Sequence, residues 1–478
     1  MTVRVRFAPS PTGNLHIGGA RTALYNYIFA KAVGGKYILR IEDTDKERST
    51  KEFEDSQISD MEWLGLKHDE GPGIGGEFAP YHQSERMETY QKYANELLDK
   101  GLAFYDFCTE SELEKMAKKN KEEGTPPYTG KWKDCSNWSE AKNKVASGEK
   151  APIRFLVPDE DISFTDYVRG EVKFPKGMVG DFVIIRSNGM PTYNFCNVID
   201  DHLHKITHVI RGEDHVNNTL RQVMVYNAIG AAIPKFAHVS LLIGEDRQKL
   251  SKRHGATSVK QYREQGYLPE ALANYLCLLG WSHPEEKDVF TIDEISKKEL
   301  FTLNRFSKSH AVYDIEKLKY INSQHIKNMD IESLIQRAPE FIEVDSFFHT
   351  QTTEWKQKFL SLYQDKIQLF PELNESLKDI TSESVDLTDD LKDILSWETT
   401  PAIKEYILEQ LEKIESDYVS AETFSDWMNF CKKELKIKGK PLFMGFRGVL
   451  TGQNHGPDLK VLIPLTPIKI LKKRIESL

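Results

Sequence analysis

The stretch from Val3 to Ile41 sets the tightest limit on what this chain can fold into. VRVRFA at 3–8 alternates apolar and charged residues with period two, the mark of a strand, and Pro9 and Pro11 forbid its continuation. Beyond Gly18-Gly19, the residues Leu24, Tyr27, Ile28 and Ala32 fall at helical spacing, and Gly34-Gly35 supplies a stop. Tyr37-Ile38-Leu39-Arg40-Ile41 then reads as a second strand. A strand, loop, helix and strand in this order predict a right-handed crossover between parallel strands. The loop APSPTGNLHIGGARTAL at 8–24 therefore falls at the carboxyl end of the first strand, where open α/β sheets bind their ligands.

The remaining sequence predicts that this alternation is interrupted and later resumes. Residues 85–122 read as helical and highly charged, and 123–146 as a loop-rich insertion. Short strands IRFLV, VKFP and FVIIR occupy 151–197, separated by Gly and Pro turns. A strand at Ile206 to Ile210, followed by Arg211-Gly212-Glu213-Asp214 and a helical stretch, restarts the βα pattern. From about 260 helical periodicity dominates, as in PEALANYLCLLGW, where Leu272, Leu276 and Leu279 share a face. At 478 residues about three units are expected. The fold class is thus α/β, a parallel nucleotide-binding sheet split by an α+β insertion, with an all-helical tail.

Composition removes several function classes. No apolar run of 18 residues exists, so no membrane span is expected, and Met1-Thr2-Val3-Arg4-Val5-Arg6 lacks the pattern of a secretion signal. Five scattered cysteines without a C-x-x-C argue against a disulfide framework and fit a reducing cytoplasm. The net charge of −9 opposes binding of a polyphosphate by the chain as a whole, so a nucleic-acid partner would need local basic patches.

Two short motifs carry chemistry. A helix N-terminus offers unpaired backbone N–H groups and about half a positive charge to a phosphate, and His16 would add a side-chain donor there. Gly13, Gly18 and Gly19 would let a nucleotide lie against the backbone. His16 could equally serve only as a helix cap. KLSKR at 249–253 brings Lys249 and Lys252 three apart, which alone is as consistent with a solvated surface as with anion binding.

Together with RIEDTD at 40–45, GMPTYNFCNVIDDHL at 189–203, HVIRGEDH at 208–215 and KGKPLFMGFRGVLTGQNHGPDL near the end, these motifs closely resemble class I aminoacyl-tRNA synthetases, in particular the bacterial glutamyl-tRNA synthetases. The resemblance runs over nearly the whole chain. It implies a Rossmann-type catalytic domain at 1–100 and 192–246, an inserted acceptor-stem-binding domain at 101–191, a connecting helical domain at 247–325 that carries KLSKR, and an α-helical anticodon-binding domain at 326–478. It also implies activation of L-glutamate with ATP and Mg²⁺ to glutamyl-adenylate and pyrophosphate, and transfer to the terminal adenosine of tRNA(Glu), by a cytoplasmic monomer.

By the same resemblance His16, Lys249 and Lys252 are the catalytic residues. Pro9, Thr12, Gly13, Gly18, Gly19, Leu250 and Ser251 join them around ATP. Here Gly19 stands where the family's first signature has a second histidine, and Leu250 and Arg253 vary the second signature. The roles fit the reaction, because negative charge builds on phosphate oxygens as a carboxylate attacks the α-phosphate. Two lysines on a mobile loop can neutralise it.

An amino acid with an acidic side chain needs a guanidinium for its carboxylate and a carboxylate for its ammonium. The resemblance assigns the first role to Arg6 and Arg211 and the second to Glu42, with Ser10, Tyr193 and Asn197 completing the pocket. Arg211 separates this chain from a glutamine-specific relative, since a neutral amide would leave the guanidinium without a charge partner. Charging of tRNA(Gln) in addition, and a catalytically silent tRNA-binding protein, are the alternatives.

His202, His204, His208 and His215 beside Asp200 and Asp201 suggest a metal site, but His202 and His204 read as one face of a strand beside the pocket. Some glutamyl-tRNA synthetases hold zinc in the inserted domain; here Asp106 opens the first pair with Cys108, Trp132 stands where the ligand after Tyr128 would be a cysteine, and Cys135 follows three residues later, so that only a distorted set of Asp106, Cys108, Tyr128 and Cys135 is available. No bound metal is expected. Lys432, Lys433, Lys436, Lys438, Lys440 and Arg447, then Lys469, Lys472, Lys473 and Arg474, are the candidate tRNA-facing stripe.

Overall fold

The computed structural model describes residues 2–124, 128, 130–248, 250 and 255–478. It divides into two compact units, Met1–Arg263 with Pro269–Ile315, and Glu264–Leu268 with Glu316–Leu478.

In the first unit β1 (Arg4–Phe7) pairs in parallel with β2 (Lys36–Leu39), from Arg4↔Lys36 to Phe7↔Leu39. All four residues of β1 are buried, although the sequence alternates charged and apolar. Its arginines are tolerated inside because each meets a carboxylate: Arg4 forms a two-pronged pair with Glu70 at 2.7 and 2.8 Å, and Arg6 meets Asp201. Between the strands runs α1 (Ile17–Val33), opened by His16 and closed by Gly34 at φ 64°, a left-handed cap that favours glycine. This helix packs on β1 on one side and on the helix Pro269–Leu278 on the other. It is therefore buried on nearly every side, Tyr25, Asn26 and Phe29 included, and the single apolar stripe read from the sequence understates its burial.

A helix, α2 (Lys51–Trp63), follows β2, and α3 (Met87–Asp99) leads into the inserted region. The stretch 85–122 is not one helical block: β3 (Ala103–Tyr105) separates α3 from α4 (Glu110–Glu123). With β4 (Ile153–Phe155) and β7 (Phe182–Ile185) it forms an antiparallel sheet, order β3-β4-β7. Phe104, Tyr128, Trp132 and Ala141, the last on α5 (Trp138–Ala146), make a small core there.

The hairpin of β5 (Ile162–Asp166) and β6 (Gly170–Phe174) leaves that sheet. Its first strand pairs in parallel with β9 (Lys235–Val239), which pairs on its other side with β8 (His208–Gly212), giving the order β6-β5-β9-β8. Thr207 N donates to Arg4 O at 2.9 Å where β8 begins, which joins this sheet to β1 and β2. So a strand lying within 101–191 belongs to the same sheet as β8 and β9. Of the hairpin's two strands the sequence predicts only the second, VKFP.

His202 and His204 do not sit on a strand. Residues Tyr193–Leu203 form α6, and His204 is its C-cap. Phe195, Val198 and Ile199 are buried at helical spacing, and burying that face outweighs the local period of two in the histidines. After β8 comes α7 (Val216–Ile229), and β10 (Leu242–Ile243) pairs in parallel with β11 (Ala311–Val312).

The second unit contains no strand among its described residues; helices such as Thr353–Tyr363, Ala421–Lys433 and Lys440–Thr451 build it. Trp355 and Phe359 stack at 5.3 Å within its core. Lys432, Lys433, Lys436, Lys438 and Lys440 are exposed. Arg474 departs from the expected basic stripe: it is 2 % exposed and donates to the carbonyl oxygens of Ser382 (2.7 Å) and Asp379 (2.9 Å). Its guanidinium satisfies internal carbonyls, so it cannot face a phosphate. No helix among the described residues is long and apolar enough to cross a membrane.

Candidate active site

A cavity of 720 Å³ opens at the carboxyl ends of β1 and β8. Of the residues singled out in the sequence, Arg6, Ser10, His16, Gly18, Gly19, Glu42, Tyr193, Arg211 and Leu250 line it. Segments more than 200 residues apart in sequence thus share one wall.

His16 is the N-cap of α1, and its Nδ1 accepts a hydrogen bond from Gly18 N at 3.1 Å. That bond leaves the ring hydrogen on Nε2, so the cap and the donor role are compatible in one tautomer. The helix N-terminus offers fewer amides than the sequence suggests. Ile17 N donates to Thr257 O at 2.9 Å and Gly18 N to His16, which leaves Gly19 N as the amide of this turn without a partner among the described residues. Val259 N donates to Leu15 O at 3.0 Å, and His16 and Ser258 form an antiparallel bridge. The chain just after KLSKR is thereby fastened beside His16. At the other end Leu250 N donates to Leu242 O at 3.1 Å. Lys249, Ser251 and Lys252 lie outside the described residues.

Pro9, Thr12 and Gly13 do not line the cavity; Pro9 O accepts from Glu42 N, and Gly13 O from Gln57. A Cβ at Gly13 would meet open space, whereas one at Gly19 would press on Leu15 at 3.3 Å. Gly19 therefore serves helix packing as well as access.

Around Glu42 and Asp201 the charges are balanced. Arg40, fully buried, donates to Asp201 at 2.5 Å, lies 3.3 Å from Glu42 and 3.8 Å from Asp200. Arg6 donates through Nε to Asp201 at 3.1 Å, and Arg86 to Asp200 at 2.7 Å. Burial alone would raise the Asp201 carboxyl, but Arg6 and Arg40 outweigh it and bring it to about 2. For Glu42 burial dominates and the carboxyl is raised. Asn197 is not on the cavity surface: it stands behind Glu42, donating to Oε1 at 2.5 Å, and accepts from Arg40 at 2.9 Å.

Arg211, 5 % exposed, lines the same cavity. Its Nε donates to His238 Nε2 (3.3 Å), and its Nη2 to Thr219 Oγ1 and Gln222 Oε1 (both 2.6 Å). Its Nη1 donates to the Tyr193 hydroxyl at 3.4 Å. Every one of these acceptors is neutral, and burial lowers the guanidinium pKa. Among the described residues no carboxylate pairs with it. Tyr193, its own hydroxyl pushed up to about 12 by burial, lies 3.0 Å from His215 Nδ1.

Residues 2–320 match the family described as "tRNA synthetases class I (E and Q), catalytic domain". The chain belongs to the class I aminoacyl-tRNA synthetases. Residues 333–478 match "Anticodon binding domain". Glutamate--tRNA ligase 1 of Caldicellulosiruptor saccharolyticus is 45 % identical over 486 residues, covering 100 % of this chain and 99 % of the relative. Glutamate--tRNA ligase of Bacillus subtilis is 42 % identical over 487 residues, again with 100 % and 99 % covered. A crystal structure of a glutamate tRNA ligase from Elizabethkingia meningosepticum in complex with its amino acid superposes with a TM-score of 0.86 at 33 % identity, covering 100 % of this chain and 99 % of that one.

For a synthetase of this class, several site residues were not legible as such in the sequence. Arg40 was read only as part of a strand, and Asp201 only as a metal candidate; both prove to be the counter-charges of the pocket. The six His and Asp residues weighed as a metal site separate: Asp200 binds Arg86, Gln83 and Tyr90, His204 faces Pro80 O, and His215 faces Tyr193. In the inserted region Asp106 accepts from Tyr128 (2.9 Å), Cys108 N (2.9 Å) and Arg154 Nε (2.6 Å), and Arg154 covers the Tyr128 ring at 4.3 Å. Cys108 Sγ lies 3.7 Å from the Tyr128 hydroxyl, so three of the four candidate zinc residues meet, while Cys135 is exposed.

Proposed function

We propose that this synthetase is a glutamate–tRNA ligase, and the observation that carries the reading is the buried guanidinium of Arg211. A buried cation held only by neutral acceptors keeps a desolvation cost that an anionic ligand relieves. The carboxylate side chain of L-glutamate fits it as a charged, two-pronged partner. Arg6, whose hydrogen bonds to protein run through Nε, presents its terminal nitrogens for a second carboxylate contact. Glu42 takes the substrate ammonium, held in place by Asn197 and Arg40. Ser10 and Tyr193 close the pocket.

ATP enters as its Mg²⁺ complex, the ion arriving with the substrate; among the described residues no group of three or more His, Cys, Asp or Glu side chains exists to hold one. His16 Nε2 and Gly19 N serve the phosphates, and Lys249 and Lys252 neutralise the charge that develops as the substrate α-carboxylate attacks the α-phosphorus and pyrophosphate leaves. Gly18, Leu250 and Ser251 shape the nucleotide's path, and Pro9, Thr12 and Gly13, which do not line the cavity, hold the loop that carries Ser10 and His16. The glutamyl group then passes to a hydroxyl of the terminal adenosine of tRNA(Glu). Domains at 1–100 with 192–246, 101–191, 247–325 and 326–478 divide the work between activation, the acceptor end, the connection and the anticodon, in a cytoplasmic monomer.

Charging of purified tRNA(Glu) and tRNA(Gln) with glutamate and with glutamine is the test. Glutamyl-tRNA(Glu) formed with release of AMP and pyrophosphate is expected. Tight tRNA binding without AMP would overturn the reading in favour of a silent tRNA-binding protein.

A further inference from the structure

Arg211 poses a problem of local chemistry. A guanidinium in a wall this dry needs acceptors for its N–H groups, and the commonest acceptor, a carboxylate, would cancel the charge that a substrate carboxylate is to meet. Its Nε–H is instead taken by the imidazole of His238, which is fully buried on β9. An imidazole nitrogen accepts only when it carries no hydrogen, so Nε2 must be bare.

The other face of the ring fixes that choice. His238 Nδ1 lies 2.6 Å from Asp166 Oδ2, and the backbone N of His238 donates to the same oxygen at 3.0 Å. Asp166 Oδ1 in turn accepts from Val168 N and Arg169 N, both at 2.8 Å. The carboxylate is thus an acceptor in every contact and obliges Nδ1 to hold the ring hydrogen. Burial lowers the imidazole pKa to about 4 despite the neighbouring carboxylate, which keeps the ring neutral. Thr219 Oγ1, 2.9 Å from Nε2, accepts from Arg211 Nη2 and steadies the same edge.

We propose that His238, held by Asp166, is a positioning residue for amino-acid selection: it satisfies and orients Arg211 through a neutral acceptor, so that the guanidinium keeps its charge for the substrate side chain. Asp166 and its counter-charge stand one ring further away. Because Asp166 is on β5, the hairpin that leaves the inserted region reaches the pocket through this pair. The inference rests on the reading of Arg211 as the glutamate contact.

Four variants of the full-length enzyme, two of them at His238, Arg211→Gln alone and a double, test it with KM for glutamate, KM for ATP and kcat read separately. His238→Asn keeps a donor to Asp166 but loses the acceptor near Arg211. It should raise KM for glutamate about tenfold and leave KM for ATP within about twofold. His238→Gln, whose amide oxygen can reach the place of Nε2, should recover part of that loss. Arg211→Gln combined with His238→Asn should be no worse for glutamate than Arg211→Gln alone, since the histidine acts through the arginine.

An unchanged KM for glutamate in a folded His238→Asn, an equal rise in both KM values, or additive losses in the double variant would overturn the proposal. If His238→Asn does not fold, the partial recovery with His238→Gln and its comparison in the Arg211→Gln background decide the matter alone. Failure of the underlying reading looks different: Arg211→Gln itself would leave KM for glutamate unchanged.

Discussion

Two neighbouring groups of side chains in the cavity wall solve opposite electrostatic problems. Around Glu42 three guanidinium groups, Arg6, Arg40 and Arg86, face three carboxylates, Glu42, Asp200 and Asp201, and hold one another in place. Around Arg211 a single guanidinium is held by an imidazole, a hydroxyl, an amide oxygen and a phenol. A balanced network offsets part of its desolvation cost through its own pairs and costs much to break, because deleting one member strands the others in a dry interior. An unbalanced cation is costly to keep and cheap to lose for folding, yet it is what gives an anionic ligand a reason to bind. Stability should therefore reside in the Glu42 group and selectivity in Arg211.

The largest effect that would break this contrast is at Arg211. Arg211→Gln should lower kcat/KM for glutamate about a thousandfold while moving the urea midpoint little. A marked loss of stability with modest loss of activity would reverse the assignment of the two groups. Arg40→Met should do the converse: about 3–5 kcal/mol of stability lost in denaturant titration, because Asp201 and Glu42 lose their shared cation. Finding it as stable as the wild type would show that the network is not what holds this wall.

Acid should reach the buried histidines and Asp201 in different pH ranges. His215 and His238, beside Arg211, are each lowered by burial to about 4, below the 6.5 of an unfolded histidine. Between those values the unfolded chain binds more protons, so stability is complete above about 6.5 and falls as pH drops towards 4, on the order of 1 kcal/mol per histidine per pH unit. Asp201, at about 2 against 3.8, contributes stability that is present above 3.8 and is lost as pH falls through 2. Urea midpoints measured from pH 7.5 down to 4.5 should already decline; a flat profile there would contradict the buried neutral histidines. The smallest effect is expected at Asn197, where replacement by Ala should raise KM for glutamate roughly threefold to tenfold by freeing Glu42, with KM for ATP unchanged. A change in KM for ATP of the same size would place Asn197 elsewhere in the reaction.

How much of this was readable beforehand follows the same divide between local and distant causes. The strand, loop, helix and strand of the first forty-odd residues, the stop at Gly34 and the helical tail are local patterns, and they appear as expected. The strand ISFTD at 162–166 has a visible alternation, with Ile162, Phe164 and Asp166 buried in turn, but the turn signals on either side of it are stronger than that short pattern. His202 and His204 misled because two residues two apart fit a strand, while the helical face of Phe195, Val198 and Ile199 carried the opposite signal.

Counter-charges are harder. Nothing near Arg40 or Arg211 in the sequence tells that one meets carboxylates from residues 200 and 201 and the other an imidazole from residue 238, since those partners arrive through sheet order and helix packing. The basic tail shows the same limit: Arg474 reads like its lysine neighbours, yet burial turns it inward.

Side-by-side steady-state charging of tRNA(Glu) with glutamate and with glutamine by the unaltered enzyme probes the role of Arg211 most directly. A preference for glutamate of at least about a thousandfold in kcat/KM is predicted, because glutamine would leave the Arg211 guanidinium buried without a charge partner. Comparable kcat/KM for the two amino acids would contradict the account.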